Sequence, residues 1–287
     1  MFFRNKKILK INNKRGSIQH YYHFIYGFLF PLINYVDFTK KEKFVIRSCG
    51  PFNKIIHEIF ENYLVIADIC DFNKKIEGGN SHINMIDGYD HPDFYDSLLF
   101  KNVVEIVKFR LHGKLEKAIS NISNVLEKDK PFFLFIDRGD SSNFYNSPLS
   151  EIPTSANQRR SIPNFINLVK AFDDKPATKL VVYLEEMPFV EQIALFSKAD
   201  IVVAQHGAAL ANLAWGKPGL RVIEILPECN KKDPPYFAKL SEIFNFKHIF
   251  VFQDDPHSKV DPELVVGAFH KISHTIRNEW IEQFYEK

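Results

Sequence analysis

His206 and Gly207 stand between two apolar runs, and chemistry is most readily done at that junction. Ile201 to Ala204 is a short apolar run, and beyond the break Ala208, Ala209, Leu210, Ala211, Leu213 and Ala214 resume at high helical propensity. The pattern predicts strand, tight turn and helix. The first turn of such a helix carries unpaired N–H groups and the positive end of the macrodipole, and Gly207 with its alanines lets foreign oxygens come close to the backbone. A diphosphate suits that seat. The next apolar run, Gly219 to Pro227, reads as a second buried strand with one acid in it, Glu224. A carboxylate there needs a partner, and a ligand hydroxyl or a salt bridge to Arg221 would each serve. Asn212, one turn inside the expected helix, asks for a compensating bond either to a ligand or within the protein.

These residues are spaced as ends of strands in a repeating strand–helix rhythm. Strand-like runs at Ile8 to Ile11, Phe44 to Arg47, Leu64 to Ile69 and Ile83 to Ile86 alternate with helical patterns at His23 to Tyr35, Phe52 to Glu61, Ser97 to Leu111 and Gly113 to Leu126. The charged run Glu127 to Lys130 then suggests a boundary, dividing the chain into residues 1–128 and 129–287. From Pro131 the rhythm restarts with a strand, a polar loop from Arg138 to Ser161, and further strands at Lys179 to Leu184, Ala199 to Val203, Val222 to Pro227 and His248 to Phe252. Helices are expected at Asn164 to Phe172, Val190 to Phe196, Tyr236 to Phe244 and Asp261 to Tyr285. Such alternation predicts an α/β protein with parallel sheets wrapped by helices. Ligands of such folds gather at the carboxyl ends of strands, where Arg138, Glu185 and His206 fall. The loop Gly139 to Gln158 is long for a passive connection and is expected to order over a ligand.

Composition narrows the partners. With 37 basic and 35 acidic residues the net charge is only +2, so charge implies no nucleic-acid partner. The basic cluster from Arg4 to Arg15 reads as a solvated edge around a first strand, or else as a membrane-surface or polyanion patch. Three widely spaced cysteines, Cys49, Cys70 and Cys229, suggest neither a disulfide framework nor a thiolate zinc site. The longest apolar run, Tyr21 to Val36, is shorter than the roughly 20 residues that a membrane span needs and is interrupted by His23, Gly27, Pro31 and Asn34. It reads as a buried helix. With no secretory segment and no transmembrane segment recognised, the expected location is cytoplasmic.

An acidic pair, Glu185 and Glu186, is followed by Phe189, Glu191 and Gln192, a strand from Ala199 to Val203, then His206, Gly207, Ala208, Leu210 and Asn212, and finally Val222 to Pro227. This order and spacing resembles the C-terminal signature of glycosyltransferase family 61. Phe133 to Arg138 with Arg159, Arg160 and Asn164 resembles the arginine-rich entry to the same domain, and His23 with the apolar helix after it resembles the family's N-terminal histidine motif. The resemblance implies a GT-B fold of two Rossmann-like αβα lobes with a cleft between them, the first lobe serving the acceptor and the second the nucleotide-sugar. It further implies transfer from a UDP-sugar, UDP-xylose or UDP-GlcNAc, to a glycan hydroxyl, inverting and with no metal or other cofactor.

Such a transfer needs positive charge on the departing diphosphate, a base for the acceptor hydroxyl, and groups that hold the sugar in line. For the charge, the resemblance implies Arg138, Arg159 and Arg160, whose plainer role would be surface ion pairing, together with His206 and the amides of Gly207, Ala208 and Ala209. Glu185, Glu186, Asn212 and Glu224 complete the donor-side candidates, with helix capping and internal salt bridges as their alternatives. For the base, Asp87 is expected, with His23 and Asp90 behind it; a turn beside Gly88 would equally explain the aspartates. Gly27 stands where the family often carries an acid four residues after the matching histidine. That departure keeps open a second reading, a non-catalytic nucleotide-sugar or glycan-binding module of the same fold.

Overall fold

A computed structural model describes residues 7–12, 17–36, 38–40, 42–77, 82–86 and 97–274. Within them the strands β1 (Lys7–Asn12), β2 (Phe44–Arg47), β3 (Leu64–Ala67) and β4 (His82–Ile86) form one parallel sheet in the order β3-β2-β1-β4. A second parallel sheet has the order β6-β5-β7-β8-β9 and is made of β5 (Phe132–Asp137), β6 (Thr178–Tyr183), β7 (Ile201–Gln205), β8 (Arg221–Pro227) and β9 (Lys247–Gln253). The expected α/β class with parallel sheets holds. Each sheet belongs to its own unit, residues 1–112 with 144–153 for the first and 113–143 with 154–287 for the second. This division falls before the charged run at which the sequence suggests a boundary, because the helix α5 (His112–Ser123) goes almost wholly with the second unit.

In the first unit the apolar run after Tyr21 is a buried helix, as its interruptions suggest. Phe24 through Leu29 are all buried, a pattern that only a helix covered on every side tolerates. Its first part, His23–Leu29, is π-helical, and Phe30 N–H bonds the carbonyl of Ile25, five residues back. Pro31 follows at the start of α1 (Phe30–Tyr35). Lacking an N–H it cannot continue an i→i−4 ladder, and the wider turn before it absorbs the mismatch. Amphipathic α2 (Asn53–Phe60) buries Ile55, Ile56, Ile59 and Phe60, α3 (Ile69–Glu77) buries Phe72, and α4 (Ser97–Arg110) buries Phe100, Val103, Val104 and Val107. Arg110 caps this packing, donating from Nε to the Ile59 carbonyl at 2.9 Å.

The segment expected to order over a ligand has protein partners instead. Residues 144–153 belong to the first unit, where the Tyr145 hydroxyl donates to the Gln19 carbonyl at 2.6 Å and the Glu151 N–H to Gln19 Oε1 at 2.7 Å. Glu151 also pairs with Arg47 and accepts from Ser17 Oγ. Phe144 lies over Gly50, which has φ of +60° and no room for a Cβ: one there would sit 2.5 Å from the Phe144 ring. The polarity of this loop therefore serves a network of internal bonds.

The second sheet alternates cleanly between two buried faces. Phe133 and Phe135, Ile201 and Val203, Ile223 and Ile225, and Ile249 and Val251 face α6 (Phe165–Lys170) and α9 (Pro262–His274) in one core. The opposite face of β8 and β9 puts Leu226 and Phe250 against Ala238 of α8 (Tyr236–Ile243), while α7 (Phe189–Lys198) packs near β5. Counted in sequence order within the unit, these strands run 2-1-3-4-5, an order whose switch point lies between β5 and β7. Crossovers leave that point in opposite directions, so the carboxyl ends of β5 and β7 open a crevice. Among the described residues no helix is long and apolar enough to cross a membrane.

Asn164, part of the arginine-rich stretch, is a brace: its Nδ2 donates to the Val260 carbonyl at 2.7 Å and its Oδ1 accepts from the Val260 N–H at 3.0 Å. Asn164→Ala should cost about 1–3 kcal/mol, the price of stranding buried backbone groups. Denaturant unfolding measures it, and an unchanged midpoint would contradict the role.

Candidate functional site

Arg138 follows β5 directly and His206 follows β7, so the switch point brings both to the same crevice. The backbone of β7 continues one residue further, His206 N–H bonding the Ile225 carbonyl at 2.7 Å. That pairing aims the His206 carbonyl at two guanidinium groups: Arg138 Nη2 donates to it at 2.8 Å and Arg160 Nη1 at 3.1 Å. Arg138 Nη1 also reaches the carbonyl of Ala156 at 3.5 Å. Ala156 is buried with φ of +55°, a left-handed conformation that costs an L-residue about 1–2 kcal/mol and marks the loop as held in shape.

Gly207 is required by the arginine. A Cβ at position 207 would lie 1.7 Å from Arg138 Nη2, while its backbone is simply extended. The expectation that open backbone beside Gly207 would receive oxygens directly is therefore corrected: a guanidinium covers that surface. The expected α-helix is also replaced, since Ala208–Trp215 is a 3-10 stretch. Every residue from Leu210 to Trp215 is buried, and tighter turns fit that confined space. Ala208 and Ala209 open it and are only partly buried.

The electrostatics are lopsided. Among the described residues no carboxylate lies within ion-pair distance of Arg138, Arg159 or Arg160, although Glu185 and Asp137 act on Arg138 from further away. Burial, then repulsion from Arg160, lowers Arg138 to about 10, which still leaves it charged at neutral pH. Burial followed by the charge of Arg159 lowers Arg160 as well. Neutral carbonyls orient these cations without cancelling them, and such a group attracts an anion.

Other donor-side candidates take different positions. Asn212 is fully buried, donating from Nδ2 to Gln192 Oε1 at 3.0 Å and to the Ala209 carbonyl at 3.1 Å, and accepting from Trp215 Nε1 at 3.1 Å. With its amide spent inside the protein it braces the 3-10 stretch, which is the internal bond that the sequence left open beside a ligand contact. Glu224 is 1% exposed, and both its oxygens bind imidazoles: Oε1 takes His206 Nδ1, and Oε2 takes His248 Nε2 at 2.9 Å. Its partners are thus histidines, neither a ligand hydroxyl nor Arg221. Glu185 sits at the end of β6 with its carboxyl near Gly139, and Glu186 is exposed without a hydrogen bond among the described residues. His23 lies in the first unit, its ring 5.2 Å from that of His20. Asp87, Asp90 and the basic stretches around Arg4 and Arg15 lie outside the described residues.

Several residues had no sequence expectation attached. Gln205 and Gln253 are buried at the ends of β7 and β9, joined by a 2.6 Å hydrogen bond, and their amides hold the carbonyls of Ser161, Pro256 and Ser258. They fix the loops that carry Arg160. His248 was visible only as the first residue of an expected strand. A histidine opening an apolar strand next to one that carries a lone buried acid was the signal for it. Among the described residues no cluster of three or more His, Cys, Asp or Glu side chains is arranged to hold a metal ion.

A family model described as Glycosyltransferase 61 matches residues 21–223, which takes in the first unit's buried helix and all three arginines. No curated protein matches the chain. The matched region stops one residue short of Glu224.

Two outcomes follow from this geometry. Gly207→Ala should leave the protein folded but expel Arg138 from the His206 carbonyl, and a crystal structure of the variant with the guanidinium unmoved would refute the steric account. Burial opposes the charge of Glu224, yet attraction to His206 and bonds from both imidazoles lower it from 4.5 to about 2. A group lowered in the folded state contributes stability that is complete above pH 4.5 and is lost as pH falls toward 2. The denaturation midpoint of the wild type should accordingly fall more steeply below pH 4.5 than that of Glu224→Gln; parallel curves would contradict this.

Proposed function

Since the chain belongs to glycosyltransferase family 61, we propose that it moves a sugar from a UDP-sugar, UDP-xylose or UDP-GlcNAc, to a glycan hydroxyl, with inversion and without a metal. The observation that carries this reading is the set of guanidinium groups gathered at the switch point, two of them on the His206 carbonyl and none ion-paired among the described residues. Cleaving a sugar–diphosphate bond leaves its electron pair on a phosphate oxygen, and stabilising that charge is the largest task the protein has. Arg138 and Arg160 are pre-oriented for it by neutral carbonyls, so no reorganisation is needed when the charge develops, and in this reading they do the work that a divalent cation does elsewhere. Arg159 adds charge from the exposed side. Glu185 and Glu186 offer carboxylates to the nucleoside hydroxyls.

In the proposed arrangement the two units are the lobes of a GT-B enzyme, the first presenting the acceptor with Asp87 as base and His23 or Asp90 as substitutes. The expected location is the cytoplasm. A specific feature favours a second reading: Gly27 carries no side chain where the family often has an acid, and a binding module of the same fold would need none. Turnover separates the two, because a binder would hold UDP without hydrolysing or transferring any UDP-sugar.

Calorimetry with UDP tests the seat. The wild type should bind, and Arg138→Ala should weaken binding by roughly 10- to 150-fold, the loss of charge-assisted hydrogen bonds. No binding at millimolar UDP, or unchanged affinity in both Arg138→Ala and His206→Ala, would remove the reading.

A further inference from the structure

Behind His206 lies a buried chain of polar groups that anion binding by arginine does not use. His206 Nδ1 meets Glu224 Oε1, Glu224 Oε2 meets His248 Nε2 at 2.9 Å, and His248 Nδ1 meets Ser241 Oγ at 2.8 Å. Glu224, His248 and Ser241 are at most 2% exposed, whereas the side chain of His206 is 12% exposed. The chain thus runs inward from the crevice through β8 and β9 to α8.

Hydrogen-bond chemistry fixes the proton positions along it. An ionised carboxylate only accepts, so each imidazole must present an N–H to Glu224. For His248 that is Nε2–H, while Nδ1 meets the Ser241 hydroxyl at 2.8 Å on the other side of the ring. For His206 it is Nδ1–H, and the remaining nitrogen, Nε2, forms no hydrogen bond among the described residues. Nε2 is the edge of the ring away from Glu224, and Phe237 of α8 stands edge-on to the same ring at 5.2 Å. The ring is therefore held on one side by charge and on another by an aromatic wall.

We propose that Glu224, anchored from behind by His248 and Ser241, is a positioning residue that keeps the His206 proton on Nδ1 and reserves Nε2 for a phosphate oxygen of the bound diphosphate. The proposal rests on the anion seat described above, and it separates Glu224 from the ligand: the carboxylate acts only through the imidazole. Protonated at Nε2, His206 donates to the same anion that Arg138 and Arg160 face. A neutral isostere at 224 cannot serve the chain, because the two imidazoles meet different oxygens and an amide keeps an acceptor at only one of those positions, while its NH2 at the other forces that ring to turn a lone pair inward.

Long-range 1H–15N spectra of the imidazole rings, assigned by loss of signals in His206→Gln, test it on the wild-type protein. The expected result is a His206 Nδ1 that stays protonated from pH 6 to pH 9 while Nε2 responds to added inorganic pyrophosphate. Calorimetry should also show Glu224→Gln binding pyrophosphate at least about fivefold more weakly than wild type, the order of one lost hydrogen bond. A wild-type Nδ1 without its proton overturns the proposal, as does a Glu224→Gln variant that is folded and binds equally well. If Glu224→Gln does not fold, the wild-type spectra decide alone. Should wild type show a protonated Nδ1 but ignore pyrophosphate, the anion seat fails and the phosphate role of Nε2 with it, while the tautomer control by Glu224 stands.

Discussion

Position 207 has no side chain because a guanidinium occupies the space. The contact between Arg138 and the face of Gly207 joins the ends of β5 and β7, the two strands from which the crossovers diverge, and so fixes the point where the crevice begins. From it follow the two hydrogen bonds that Arg138 and Arg160 donate to the His206 carbonyl and the position of the loop through Ala156. Cations gathered on neutral backbone in this way stay available to an outside anion, whereas arginines matched by carboxylates would be spent.

The His206 residue works in two directions at once. Its carbonyl organises arginines on the crevice side, and its ring passes into a buried chain that ends at Ser241. The main chain and side chain of one residue thereby couple the cationic rim to the interior of the sheet. Burying Glu224 there would be costly if it stood alone; two imidazoles and the alternation of β8 make it tolerable. Strand register decides this, since Val222 pairs with His248 and Glu224 with Phe250, so the acid and the histidine emerge on one face a step apart.

Periodicity carried most of the fold. Strands β2, β5 and β7 to β9 were readable as apolar runs because both faces of a parallel sheet are covered, and the crevice followed from where those runs stop. Arg138 and His206 were legible for that reason. Side-chain partners were less so. The low helix propensity of Asn212 correctly signalled a need for bonds, but only packing reveals that Gln192 and Trp215 supply them. Glu224 likewise announced a missing partner, and its two histidines lay after one neighbouring strand and within the other, at distances no local pattern spans. The turn after Gly207 misled because alanine-rich sequence favours an α-helix in isolation, while the closed space between α7 and α8 selects a tighter coil. The Gly139 to Gln158 loop misled through its polarity, which binds protein and does not merely await a ligand.

The aromatic lid on Gly50 has an evolutionary corollary. Residue 50 adopts a left-handed turn with no space above it, and the ring filling that space arrives from a segment over ninety positions downstream. Two constraints coincide at residue 50, since the left-handed turn disfavours a side chain whatever fills position 144 and the ring then closes the space as well. Homologous chains should consequently keep the glycine even where the ring is replaced, so that variation across this contact falls on the downstream partner alone.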